Sequence, residues 1–193
     1  QSLLGDALAA THSYEAALPL LRELSEGGQC SCLPALAGAY GNLGGIAQRR
    51  GDPASAGSNY RQAATVWRRL EAEQPHLYRV PLARTLHELG RIARVLRELP
   101  EAQASLQEAV EMWGKVDEEA RADHWEAFGE ALLDLAGVHS DVGDLPSARA
   151  CCSEALAAYR AAVASQRCTS LAQVAEALRR LSRYEADSGN LVS

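Results

Sequence analysis

Arg84, Arg91 and Arg94 lie seven and three residues apart within one strongly helix-forming run, and Arg49 stands in the corresponding run upstream. That spacing puts the first three on a single face of an α-helix. Each guanidinium stays charged and presents a planar fork of N–H donors, so the row suits carboxylates or phosphate. Its chemistry would be capture by bidentate hydrogen bonds, with no bond made or broken. The competing reading is a solvated face in which these arginines pair with Glu88 and Glu98 of the same helix. The chain has 25 acidic against 19 basic residues and a formal charge of −6, so a basic row runs against the global charge.

A second row, Gly38, Gly41 and Gly45, repeats at spacings of three and four. It would leave one helix face bare, either as a floor for a peptide backbone or partner helix or as a surface for helix-to-helix packing.

Groups that could catalyse are dispersed. The chain has no Gly-rich phosphate loop after a strand, no GxSxG elbow and no HExxH. His12, His76, His87, His124 and His139 are scattered, and no nucleophile stands in pattern with a base and a stabiliser. No enzyme activity and no cofactor are expected. Cys30 and Cys32 are too close for a zinc knuckle, and no second ligand pair matches them, so no metal site is expected either. Five cysteines without disulfide-framework spacing suit a reducing cytoplasm. The acidic balance argues against nucleic acid as a partner. No apolar run approaches the ~18 residues needed to cross a bilayer, which argues against a membrane. Cys152 is expected in the core, and Trp67, Trp113 and Trp125 in packing between units.

The elements that would carry these rows emerge from an internal repeat. Gly90, Ala102, Leu106 and Ala109 are matched 46 residues earlier by Gly44, Ala56, Tyr60 and Ala63, and 46 residues later by Ala136, Ala148, Cys152 and Ala155. A further step reaches Ser182, and Gly5, Ala17 and Leu21 form a looser first copy. Within each unit a GDP, Pro100 or GDL break separates two helical patterns, with helix stop and start signals on either side. Each unit is therefore a helical hairpin. A small residue at the first key position lets the two helices approach closely, which is why a helix keeps Gly90 despite its cost of about 1 kcal/mol relative to Ala.

Leu43, Leu89, Leu135 and Leu181 precede the four key positions, and Tyr40 stands four before Gly44 in "YGNLGGIAQRRGD". With the small, large and small residues of the second helices, this pattern resembles the tetratricopeptide repeat. The 46-residue period is longer than the usual 34. Together with "LEAEQPHLYRVPLARTLHELG" it is similar to the long-helix arrays beside bacterial signalling ATPases and caspase-like modules, and loosely to those of kinesin light chains.

The resemblance implies an all-α, right-handed superhelical solenoid of antiparallel hairpins. Residues 1–193 would be one domain with units near 1–28, 33–74, 77–120, 122–167 and 170–189, and part of a longer protein. Helices are expected near 2–12, 14–26, 33–50, 53–73, 78–98, 101–119, 122–142, 146–166 and 170–188.

In that family the first helix of each hairpin lines a concave groove. The resemblance puts Gly38, Gly41, Gly45, Gln48, Arg49, Arg84, His87, Arg91, Arg94, Arg179 and Arg183 on inward positions. The family's carboxylate clamp is missing, since Gly41, Gly45, His87, Arg91, Leu133 and Gly137 stand at its positions. The resulting expectation is a non-catalytic scaffold that binds a protein or an acidic peptide, with self-association through exposed repeat ends. The alternative is a regulatory or sensor segment that clasps an effector domain of a larger signalling protein.

Overall fold

The computed structural model describes residues 2–27, 30–117, 123–165 and 171–190. Among the described residues there are eight α-helices and no strand: α1 (Ser2–Glu26), α2 (Leu33–Arg49), α3 (Pro53–Glu73), α4 (Arg79–Val95), α5 (Leu99–Gly114), α6 (Trp125–Asp141), α7 (Leu145–Ala164) and α8 (Ala172–Asn190). A 3₁₀ turn at Cys30–Cys32 leads into α2. The pairs α2/α3, α4/α5 and α6/α7 are antiparallel hairpins stacked in chain order, with α1 against α2 and α8 against α7. The architecture is an all-α helical repeat superhelix.

The three hairpin turns share one construction. The N–H of Asp52, Glu98 and Asp144 donates to the carbonyl five residues back, and the N–H of Gly51, Arg97 and Gly143 donates to the carbonyl three back. This is the Schellman stop, which requires a left-handed residue after the helix. Gly51 (φ 74°) and Gly143 (φ 82°) supply it in two turns. The residue 46 positions from each is Arg97, which adopts φ 63° with a full side chain. Asp52 and Asp144 then cap α3 and α7 by accepting from the N–H of Ser55 at 3.0 Å and Ser147 at 3.1 Å. Proline follows in the first turn of α3, α5 and α7, where its missing N–H would have had no partner.

Packing follows the repeat. A Cβ added to Gly44 would lie 2.8 Å from the Tyr60 ring, and one added to Gly90 would lie 2.5 Å from Leu106 Cγ and 3.2 Å from the Ala102 carbonyl oxygen. The bare Cα of these glycines is what seats the second helix. Ala136 holds the same position in the third hairpin, fully buried with Ala148, Cys152 and Ala155. Trp113 is buried where α5 meets α6, Trp67 stacks on Tyr78 with centroids 5.6 Å apart, and Trp125 meets Tyr159 edge-on at 5.8 Å.

The expectation of two helices in the first unit fails. The helix pair read at 2–12 and 14–26 is a single helix, α1. Ser13 falls at the expected break, but its hydroxyl donates to the Ala9 carbonyl at 2.9 Å and rides inside the helix. No glycine or proline stands there to stop the chain.

Candidate functional site

Polar side chains tie the first helices α4, α6 and α8 to one another. His87 of α4 reaches Asp134 of α6, Nε2 to Oδ2 2.8 Å. Arg94 of α4 donates to Asp141 of α6 at 2.6 Å. Arg180 of α8 donates to the Leu133 carbonyl of α6 at 2.9 Å, and Gln173 of α8 donates to Glu126 of α6 at 3.1 Å. Each pair is separated by 47 residues, one repeat plus one. A first helix thus bonds its successor one position out of step.

These ties set the charge of the surface. Burial alone would raise the Asp134 carboxyl, but the His87 hydrogen bond and the charges of His87, Arg91 and Arg180 outweigh it and hold the group below its ordinary range. Arg91 lies 3.2 Å from Glu88 and 3.6 Å from Asp134. Arg94 lies flat on α6 over Gly137, where an added Cβ would meet its Nη1 at 2.6 Å. Gly137 therefore makes the room that lets Arg94 reach Asp141.

Two open cavities lie on this surface. One of about 450 Å³ runs from Gln48 of α2 past Arg91, Arg94, Val95 and Arg97 to Asp134 and Asp141. The second, about 390 Å³, lies between α4, α6 and α8 and shares Arg91 and Asp134 with the first.

The sequence-predicted residues divide into three groups. Gln48, Arg91 and Arg94 come together at the larger cavity. The Gln48 carbonyl oxygen accepts from the Tyr60 hydroxyl at 3.0 Å. Arg49 and Arg84 are exposed and unpaired among the described residues. Gly38 and Gly41 are open, with nothing within 4 Å of an added Cβ, whereas one on Gly45 would meet Arg49 Nη1 at 3.5 Å. The others are engaged elsewhere. His87 is buried against α6, Arg179 pairs with Glu176 at 2.8 Å, and Arg183 lies over Tyr184 with its carbon 4.8 Å from the ring centroid. Paired by Arg179 and Arg180, Glu176 is lowered to about 2.

Of the same-helix partners expected for the arginine row, Glu88 does pair with Arg91. Glu98 instead meets Arg61 of α3, which also holds Glu101. Two contributors escaped the sequence reading. Asp134 was hidden because its partners stand a whole repeat away, although the shared offset of 47 was there to be found. Arg97 was hidden because it is not the glycine that its position calls for.

Residues 82–116, which span α4 and α5, match the tetratricopeptide repeat family model. Over this hairpin the chain is similar to the tetratricopeptide repeat. The α2/α3 and α6/α7 hairpins repeat its geometry on either side, so the TPR-like fold extends along the array.

Solved structures agree at the level of fold. The crystal structure of BtubC (BKLC) from P. vanneervenii is similar over 98% of this chain and 85% of its own, at 17% identity and a TM-score of 0.63. A putative kinesin light chain from Podospora anserina with nearly identical TPR-like repeats is similar over 93% of this chain and 89% of its own, at 16% identity and a TM-score of 0.61. No curated protein sequence matches significantly. TPR repeats generally mediate protein–protein interaction and are generally non-catalytic. Among the described residues no group of three or more His, Cys, Asp or Glu could hold a metal ion, and no helix is long and apolar enough to cross a membrane.

Proposed function

We propose that this TPR-like array is a non-catalytic scaffold that holds a peptide or a helix of a partner protein along its first-helix surface. The observation that carries this reading is the run of two cavities across α2, α4, α6 and α8, framed by side chains already locked by their cross-helix bonds. A surface fixed before binding loses little conformational entropy when a ligand arrives. The open backbone at Gly38 and Gly41 extends that surface at a point where a peptide could approach closely.

A preference for acidic ligands belongs to the same reading, but it rests on fewer arginines than the sequence suggests. Glu88, Asp134 and Asp141 engage Arg91 and Arg94. Arg49 and Arg84 supply the attraction because they have no such counter-charge.

The test is selection of binders from a displayed random-peptide library on the purified chain, followed by affinity measurement against Gly38→Trp and Gly41→Trp. Filling the open floor should weaken the recovered peptides about tenfold or more, or ~1.4 kcal/mol. Peptides that bind both variants as well as the parent would show that the first-helix surface is not where they sit.

A further inference from the structure

Arg97 occupies a position for which its side chain is a liability. Its counterparts one repeat away on either side, Gly51 and Gly143, adopt the same left-handed backbone at no steric cost, whereas an L side chain crowds the backbone there. The turn needs the left-handed backbone to close α4, but it makes no use of the arginine side chain. The residue is exposed, and its guanidinium makes no hydrogen bond or ion pair among the described residues. It does line the larger cavity. Strain held at the mouth of a cavity points to a role in binding.

Unused hydrogen-bonding capacity surrounds it. Gln48 uses its carbonyl oxygen on Tyr60, which leaves its amide hydrogens available. The carboxylates of the cavity are occupied, Asp141 by Arg94 and Asp134 by His87 and Arg91, so they do not compete for Arg97. Beside them Val95 is 67% exposed on the same wall. Spare planar donors next to an apolar side chain fit a singly charged carboxylate that carries an apolar neighbour. A doubly charged phosphate fits less well, because Asp134 and Asp141 stand within the same cavity.

We propose that the cavity bounded by Gln48, Arg91, Arg94, Val95 and Arg97 binds a peptide carboxylate, with Arg97 as the anchoring group and Val95 receiving the adjoining apolar side chain. The proposal rests on the reading of the first-helix surface as a peptide-binding surface. It adds the place and the chemistry of one contact.

The test is an NMR titration of the isotope-labelled chain that follows the Arg97 Nε–Hε signal, the Val95 methyls and the Gly38 and Gly41 amides. The probes are acetyl-Leu-Glu-amide, acetyl-Leu-Gln-amide, acetyl-Gln-Leu with a free carboxylate, and inorganic phosphate. One or both carboxylate peptides should move Arg97 and Val95 saturably, with dissociation constants in roughly the millimolar range, and the neutral peptide should not. Which of the two binds identifies the carboxylate as side chain or chain terminus. Arg97→Gly and Arg97→Asn should weaken that binding at least about tenfold. Arg97→Gly should also raise the denaturation midpoint, since glycine relieves the backbone. That opposite movement is one a merely structural arginine would not produce.

Equal titrations in the parent and Arg97→Gly would overturn the proposal, as would a response to phosphate alone or silence from every probe. Movement confined to Gly38 and Gly41 would overturn it too while leaving the surface reading intact, which the peptide selection decides separately.

Discussion

Substituting alanine at two glycines of the first helices should push stability in opposite directions. Alanine is favoured over glycine within a helix by about 1 kcal/mol. At Gly41 the new methyl meets nothing within 4 Å, so Gly41→Ala should keep that gain nearly whole. At Gly90 the same methyl would stand 2.5 Å from Leu106 Cγ and 3.2 Å from the Ala102 carbonyl oxygen. Leu106 Cγ is a branch point and not a flexible tip, the second neighbour is backbone, and both residues are fully buried. The clash therefore has to be relieved by moving α5 away from α4. Overpacking of this kind costs about 1–3 kcal/mol, so the net effect of Gly90→Ala should run from about zero to a loss of 2 kcal/mol. The two variants should then differ by roughly 1–3 kcal/mol, or several degrees in melting temperature for a chain of this size. Urea denaturation followed by far-ultraviolet circular dichroism measures both. A Gly90→Ala chain more stable than the parent, or a Gly41→Ala chain less stable, would refute the assignment of one glycine to the hairpin seam and the other to open surface.

Asp134 should make stability depend on pH in a defined window. Its carboxyl is held below the ordinary value, so its contribution is complete above about pH 4 and is lost as pH falls through the lower folded-state value. Asp134→Ala should cost about 1–3 kcal/mol at neutral pH, and the gap from the parent in urea midpoint should close as the pH falls below 4; a gap independent of pH would contradict the pairing. Asp52→Ala and Asp144→Ala should each lose about 1 kcal/mol with the cap, read from the same curves. Burial pushes the Cys151 thiol from 9.0 up to about 11 and raises Cys152 as well. Iodoacetamide at pH 8 should therefore label Cys151 roughly a hundredfold more slowly in the folded chain than in urea, as peptide mass spectrometry would show.

Much of the fold is legible in the sequence because one packing rule repeats. A small residue on the first helix faces a small-large-small set on the second, and 46 residues separate Gly44, Gly90 and Ala136. The ends are less legible. Ser13 carries a cap's chemistry, and only its bond back to Ala9 shows that the helix continues. At the candidate site all three arginines of the row stand in α4, but their charge cannot be judged from that helix alone. The partners Asp134 and Asp141 come from α6, brought opposite by the stacking of whole units. Arg97 is invisible for another reason: a left-handed turn is recognised by its glycine, and here the backbone keeps the turn without one.

The 47-residue ties give the array an uneven mechanical character. Between α4 and α6 the His87–Asp134 and Arg94–Asp141 pairs act as struts, and Arg180 and Gln173 do the same between α6 and α8. Among the described residues no such side-chain strut joins α2 to α4, where the facing helix carries Gly38, Gly41 and Gly45. The neighbouring second helices α3 and α5 are instead clasped there by Arg61 with Glu101 and Arg68 with Glu108. A load that pulls the two ends apart must stretch hydrogen bonds along the later half of the surface, whereas at the α2/α4 seam it can pivot about the clasp behind. The solenoid is thus a stiff blade on a compliant joint, braced along its later first helices and hinged at the α2/α4 seam.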